Sequence, residues 1–239
     1  MEDKVYPVSE WFLSPQGEGQ YCGAYMQFIR LAGCSVGKKY PADRYVKHDF
    51  PIYTEMCTTF DGREFPCDTN YQPNKKLKSS EIAALIPKDI EHVCITGGEP
   101  FNHNLEPLIW HIKELVSKNI QFHVETSGTV PLGKALPNIG WYNVGNIWVT
   151  VSPKKGVLDD MINRANEIKL LVDEEFDAAK LPESIHAHPL VYIQPINGEN
   201  KIDPANMKVT MELQKKHPKW RISIQLHKAI TASIGELVR

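Results

Sequence analysis

Cys34, Cys57 and Cys67 are the residues of this chain best suited to chemistry, because thiolates are soft ligands for iron and zinc. They are spaced C-x22-C-x9-C. Three thiolates on a four-iron cluster leave one iron open, and three on zinc make a structural site one ligand short. Inert buried thiols are the third reading, and spacing alone does not choose among them. Between the last two cysteines lies Asp61-Gly62, a hairpin signal because both turn positions accept positive φ. Folding about that turn pairs Phe60 with Arg63 and Thr58 with Phe65, which predicts Cys57 beside Pro66 and Cys67. Cys22 and Cys94 stand outside this set; Cys94 lies in an apolar run, where a buried thiol is the default.

Several polar turns accompany the thiols. Thr96-Gly97-Gly98-Glu99-Pro100 follows an apolar stretch, and its glycines let a ligand approach the backbone while Glu99 offers an acceptor. Glu125-Thr126-Ser127, Ser152-Pro153-Lys154 and Gln194-Pro195-Ile196-Asn197 follow three further apolar runs, although turn chemistry alone would explain such residues. Pro15-Gln16-Gly17-Glu18-Gly19 is a polar loop carrying an amide and a carboxylate. Arg30 can meet a carboxylate in a bidentate pair, its bland alternative being a surface ion pair. Thr69 supplies a hard oxygen of the kind Mg2+ accepts; otherwise Asp68-Thr69 is a turn. His227-Lys228 ends the series, and histidine at such a point is more often structural.

The elements that must carry these residues alternate. Strands are predicted at residues 25–31, 92–96, 120–126, 147–151, 168–172, 191–194 and 222–226. Helices are predicted at 80–86, with a serine cap, and at 203–217, and an apolar helical face at Leu105, Leu108, Ile109, Ile112, Leu115 and Val116. Alternation of this kind means an α/β fold with a parallel sheet and ligands at the C-terminal ends of its strands. A chain of 239 residues, 42% hydrophobic, can bury its own core, which favours one domain over two. A net charge of −2 gives no basis for binding a phosphate backbone, so no nucleic-acid partner is expected. No run approaches the ~20 apolar residues of a membrane helix. Because the start also lacks a signal-peptide core, a cytoplasmic protein with no membrane partner is expected. Five cysteines without an export signal read as ligands or buried thiols rather than disulfides.

Taken in order, Pro15-Gln16-Gly17-Glu18-Gly19, Arg30-Leu31-Ala32-Gly33-Cys34, Cys67-Asp68-Thr69, Thr96 to Pro100, Glu125-Thr126-Ser127-Gly128-Thr129, Ser152-Pro153-Lys154 and Gln194-Pro195 resemble the 7-carboxy-7-deazaguanine synthase family of radical S-adenosylmethionine (SAM) enzymes. The resemblance spans about residues 9–228. It implies one radical SAM domain over residues 1–239, an open, incomplete (β/α) barrel of about six parallel strands, and a long cluster-binding loop at about 34–74. It further implies a [4Fe–4S] cluster on Cys34, Cys57 and Cys67, and SAM held by Gly98, Glu99, Thr126, Ser152, Pro153, Lys154, Gln194, Pro195, Ile196 and Asn197. A pterin substrate would be held by Pro15, Gln16, Gly17, Glu18, Arg30 and Thr96, with Mg2+ on Thr69. The implied reaction converts 6-carboxy-5,6,7,8-tetrahydropterin to 7-carboxy-7-deazaguanine with loss of ammonia, in queuosine-type 7-deazapurine biosynthesis. Flavodoxin or ferredoxin as electron donor, and a homodimer, belong to the same resemblance. Two alternatives stay open: another radical SAM enzyme that activates a partner protein, and a non-catalytic zinc protein using the three cysteines.

Overall fold

The computed structural model describes residues 1–39, 55–67, 69, 72–137, 146–198 and 201–234. Its strands are β1 (Val5–Pro15), β2 (Tyr25–Leu31), β3 (Lys38–Lys39), β4 (Glu55–Thr58), β5 (Glu64–Pro66), β6 (Lys75–Lys78), β7 (His92–Gly97), β8 (Gln121–Thr126), β9 (Ile147–Val151), β10 (Glu167–Val172), β11 (Val191–Pro195) and β12 (Arg221–Ile222). The helices used below are α1 (Ser79–Ala84), α2 (Glu106–Leu115), α3 (Leu132–Ala135), α4 (Asp159–Arg164), α5 (Glu183–His186), α6 (Pro204–Lys216) and α7 (Leu226–Ile234).

Nine strands form one sheet in the order β12-β11-β10-β9-β8-β7-β2-β1-β6, and β3-β4-β5 form a small second sheet. From β2 through β12 every neighbouring pair in the large sheet is parallel. β1 runs antiparallel to β2, and β6 antiparallel to β1. Among the described residues the end strands β12 and β6 have no hydrogen-bonded neighbour on their outer sides, so the described sheet is open rather than a closed barrel. The expected parallel α/β architecture is therefore present.

Alternation along each strand divides the sheet into two faces. Leu31, Ile95, Val124, Val149, Ile168, Leu170 and Ile193 are buried with Leu108, Ile109 and Ile112 of α2 and Met161 and Ile162 of α4. Each such side chain is worth roughly 1.5–3 kcal/mol of apolar burial, so this face holds the strands in place. The opposite face carries Arg30, Thr96, Glu125, Thr150, Lys169 and Gln194, and forms the lumen of the open barrel.

Short elements not expected from the sequence include β3, β6, α3, α4 and α5, and four further departures bear on the frame of the site. β1 was not expected; its Pro7 lacks an amide donor and normally argues against a strand, yet Pro7 faces Lys76 and its carbonyl accepts from Ala32 N. The strand expected at 222–226 is only Arg221–Ile222, because α7 begins at Leu226. α1 has Lys78 rather than serine at its N-cap, and its free amide at Ser80 is met by the Asp3 carboxylate, 3.0 Å away. The fourth departure is the cysteine hairpin, described below. The helix expected at 203–217 is α6, capped by Asp203, which accepts from Ala205 N and Asn206 N.

Candidate active site

The lumen row is fixed by strand register. Arg30 faces Thr96, Glu125 faces Thr150, Thr150 faces Glu167, and Lys169 faces Tyr192. The loop after β1 folds over this row. Gln16 Nε2 donates to Glu125 Oε1 at 3.0 Å, and Thr96 Oγ1 donates to Glu125 Oε2 at 3.2 Å. Glu18 takes an ion pair from Lys169 Nζ and a hydrogen bond from Gln194 Nε2 at 3.1 Å. Glu167 accepts from Gln20 N and Thr150 Oγ1.

Burial alone would push Lys169 down, but the carboxylates of Glu18, Glu125 and Glu167 hold it well above the ordinary lysine value. Glu167 is pushed up by burial, against the hydrogen bonds it accepts. The loop stays close because Gly17 has no side chain: a Cβ there would lie 2.8 Å from His227 Nδ1. Leu226 N donates to Gly17 O at 3.0 Å, so the start of α7 closes this side of the lumen.

Arg30 differs from its neighbours. Its Nη1 lies 3.7 Å from Glu10 and its guanidinium sits 5.3 Å from the Phe12 ring centre. Its Nε is buried with no hydrogen-bond partner. A buried unpaired guanidinium donor is costly, and a ligand carboxylate would satisfy it.

Below the charged row, at the N-terminal ends of the strands, Tyr21 packs against His92, His123 and Trp148. His92 Nδ1 and His123 Nε2 are 3.0 Å apart. Burial first, and the neighbouring His92 second, push His123 down to about 3, so it stays neutral. Cys94 is fully buried on this face, packed with Met26 and Phe28, and burial raises its thiol well above the ordinary value.

Gly97 and Gly98 let two stretches of backbone approach closely. Gly97 has φ +122°, and a Cβ at Gly98 would penetrate the Gly33 carbonyl. Gly98 N donates to Leu31 O and Glu99 N to Gly33 O, at 3.0 and 2.8 Å. The glycines thus admit the cysteine-bearing segment rather than open space. Glu99 is fully buried and accepts from Phe101 N, Thr126 Oγ1, Ser127 N and Ser127 Oγ. Its oxygens are occupied by the protein itself, and a ligand would have to displace one of these donors. Ser152 N donates to Thr126 O, and Lys154 Nζ donates to Ser152 Oγ at 3.0 Å, so the turns after β8 and β9 interlock.

The cysteine hairpin turns by three residues rather than two. Thr59 N donates to Arg63 O, Gly62 N donates to Thr59 O, and Gly62 takes φ +89°. This is a tight turn with a glycine bulge. Its register sets Met56 opposite Pro66, Cys57 opposite Phe65 and Thr58 opposite Glu64. The expected pairing of Cys57 with Pro66 is off by one residue. The slip matters, because a shift of one reverses the face of every side chain. In the observed register Cys57, Phe65 and Cys67 share a face; in the expected one Cys67 would lie opposite to Cys57.

Cys34 Sγ accepts from Val36 N and Gly37 N at 3.4 and 3.2 Å. Burial raises its thiol, these two amides oppose the shift, and Cys57 is near enough for its charge to add to it. All five cysteines are free. Among the described residues no three His, Cys, Asp or Glu side chains are gathered as a metal site. The Cys67 thiol points to Thr69 O at 3.6 Å. In donor chemistry the thiols fit an iron–sulfur cluster, since none is paired in a disulfide and Cys34 already receives the N–H donors a bound thiolate takes. Asp68 lies outside the described residues.

Of the other expected residues, Pro15 is exposed at the end of β1 and Gln16 is buried. Ile196 N donates to Val172 O, and Asn197 Nδ2 donates to Gln225 Oε1 at 3.1 Å, which ties the end of β11 to the α7 approach. Lys169 and Glu167 were missed by the sequence reading. The signal was a lone lysine in Ile168-Lys169-Leu170-Leu171-Val172, since a lysine in a buried run requires a partner.

Fold and site together define an α/β protein with an open parallel sheet, a polar lumen at its strand ends and a thiol-bearing hairpin over the rim. No protein-family model matches the chain. It is 32% identical over 228 residues to the 7-carboxy-7-deazaguanine synthase of Synechocystis sp., covering 93% of this chain and 91% of that one. The enzyme of the same name from Escherichia coli K12 is 30% identical, with 93% and 97% covered. A crystal structure of QueE from Escherichia coli superposes with a TM-score of 0.63 at 28% identity, covering 93% of this chain and 95% of that chain. The chain belongs to the 7-carboxy-7-deazaguanine synthase family. No helix of the described residues is long and apolar enough to cross a membrane.

Proposed function

We propose that this chain, acting as a single radical SAM domain, converts 6-carboxy-5,6,7,8-tetrahydropterin to 7-carboxy-7-deazaguanine with loss of ammonia, in queuosine-type biosynthesis. When bound, a reduced [4Fe–4S] cluster with SAM supplies a carbon radical able to take one hydrogen from the substrate. Cys34, Cys57 and Cys67 would hold that cluster. The turns at Gly98, Thr126, Ser152-Pro153-Lys154 and Gln194 to Asn197 would hold SAM, at strand ends where such a fold binds ligands. The observation that carries the substrate reading is Arg30, whose buried Nε has no hydrogen-bond partner among the described residues. A carboxypterin brings the carboxylate Arg30 needs and an amide-like edge that suits Gln16, Glu18 and Glu125. Binding would exchange the internal bonds of Gln16 and Glu18 for bonds to the substrate.

Thr69 would offer one oxygen to Mg2+, with substrate oxygens and water completing the coordination. A flavodoxin or ferredoxin would supply the electron, and a homodimer is part of the same reading. The test is anaerobic incubation with SAM, a reductant and the carboxypterin, with the products identified by mass. Formation of 7-carboxy-7-deazaguanine is expected. A colourless, zinc-loaded protein that leaves the pterin unchanged overturns the proposal.

A further inference from the structure

The cysteine hairpin does more than join two ligands: its tip is fastened to a distant part of the sheet. Arg63, just after the turn, donates through Nε to both carboxylate oxygens of Asp61, at 3.1 and 3.0 Å. Its Nη1 makes an ion pair with Asp173, which follows the end of β10. Thr59 Oγ1 donates to Asp61 Oδ1 at 2.6 Å and accepts from Arg63 N at 3.0 Å, so the turn itself orients both charges. Gly62 rests on the Lys155 side chain after β9, where a Cβ would lie 2.9 Å from Cδ. On the cysteine-bearing face, the Phe65 ring lies 5.7 Å below Lys154 Nζ. The hairpin therefore reaches from the end of β2, where Cys34 sits, across the ends of β9 and β10. It covers the Ser152-Pro153-Lys154 turn on the way.

Three antiparallel strands of two, four and three residues are marginal by themselves. Contacts with the main sheet have to fix their position. Phe60 packs at the margin of the main core, and Arg63 spans the hairpin and β10 with one planar, forked group. We propose that Arg63 is a positioning residue: by clamping Asp61 to Asp173 it locks the hairpin across the strand ends and sets where Cys57 and Cys67 stand relative to Cys34. This rests on the cluster-binding reading above. A lysine would be a poor replacement, because a point charge cannot meet both carboxylates with the geometry of the guanidinium fork.

The test compares Arg63→Ala, Asp173→Asn and Arg63→Lys with the unaltered chain in two measurements. Hydrogen exchange in the metal-free protein reports on the clamp itself. The amides of Thr59 and Gly62 should exchange roughly tenfold faster in Arg63→Ala and in Asp173→Asn, while β8 and β10 keep their protection. Arg63→Lys should fall between. Iron retention in the anaerobically reconstituted protein, challenged with a chelator, reports on ligand positioning. Release should be several-fold faster in the same order of variants, with an unchanged melting temperature for the sheet.

Unaltered hairpin exchange in both Arg63→Ala and Asp173→Asn overturns the clamp. Faster exchange with unaltered iron release shows a clamp that does not position the thiols, and overturns the proposal equally. If the unaltered chain takes up no iron, the cluster reading has failed. The Arg63 proposal then falls with it, and hydrogen exchange still shows whether the clamp exists.

Discussion

The lumen and the cysteine hairpin face each other across the same strand ends, yet they are held in opposite ways. The lumen row is made of residues spaced along hydrogen-bonded strands, so its geometry is set by the register of the whole sheet. Apart from Arg30, its charges are buried or half-buried and held by one another. The hairpin has three short strands of its own and touches the sheet through a few side chains near its tip. A ligand entering the lumen meets a prepared surface that must only exchange partners. The three thiols are not gathered as a metal site among the described residues, so a cluster bound there would have to bring them together. A wall set by strand register and a flap anchored through side chains can thus meet at the same strand ends.

The largest way to break this contrast is to remove the lumen's central cation. Lys169→Met should leave Glu18, Glu125 and Glu167 without their shared partner. Breaking a buried pair in this manner costs on the order of 3–5 kcal/mol, measured as a loss of unfolding free energy in denaturant. A loss below about 1 kcal/mol would mean that the row is hydrated and adaptable, and the contrast would vanish.

The junction of the two regions comes next. Gly98→Ala drives a methyl group into the Gly33 carbonyl next to Cys34. Because backbone, not a flexible side chain, must give way, the cost should be near the upper end of overpacking, about 3 kcal/mol. Iron uptake should fall with it, which thermal melts and iron analysis check together.

The lumen floor predicts a pH dependence. His123 has a folded value near 3 against an ordinary 6.5, for reasons of burial and then of His92. The unfolded chain therefore takes up a proton first, and stability must fall as pH drops from about 6.5 toward 3. Between pH 6.5 and 5 the loss should approach about 2 kcal/mol. In His123→Phe, which keeps a ring against Tyr21 and His92, that part of the slope should disappear.

The smallest effect belongs to the hairpin. Gly62→Ala places a side chain at φ +89° and against Lys155, a penalty of about 1 kcal/mol. Its mark should be faster local exchange at 56–66 with little change in the melting temperature. A large global loss would show that the hairpin is part of the core.

These two regions also differ in how far the sequence reveals them. The parallel strands and α6 are legible because apolar spacing and the Asp203 cap are local signals. Thr96, Thr126, Ser152 and Gln194 fall at strand ends as expected, for the same reason. β1 was hidden by Pro7, whose missing donor is tolerated because β6 and Ala32 supply other bonds. The pairing of Lys169 with Glu18 joins residues far apart in the chain, so only the folded chain discloses it. In the hairpin, Asp61-Gly62 announces a turn but not its length. Gly62 serves a two-residue or a three-residue loop equally well, and that single residue decides whether Cys57 and Cys67 share a face. Glu99 shows the reverse case, a motif residue whose oxygens prove to be occupied within the fold.

The central claim is that Cys34, Cys57 and Cys67, and no other thiols, gather one cluster at the rim of this open sheet. Iron and sulfide analysis of five cysteine-to-alanine variants after anaerobic reconstitution tests it most directly. Cys34→Ala, Cys57→Ala and Cys67→Ala should each lose the bound cluster, whereas Cys22→Ala and Cys94→Ala should retain it in full. Full iron and sulfide in Cys67→Ala would contradict the account, because the hairpin would then carry no third ligand.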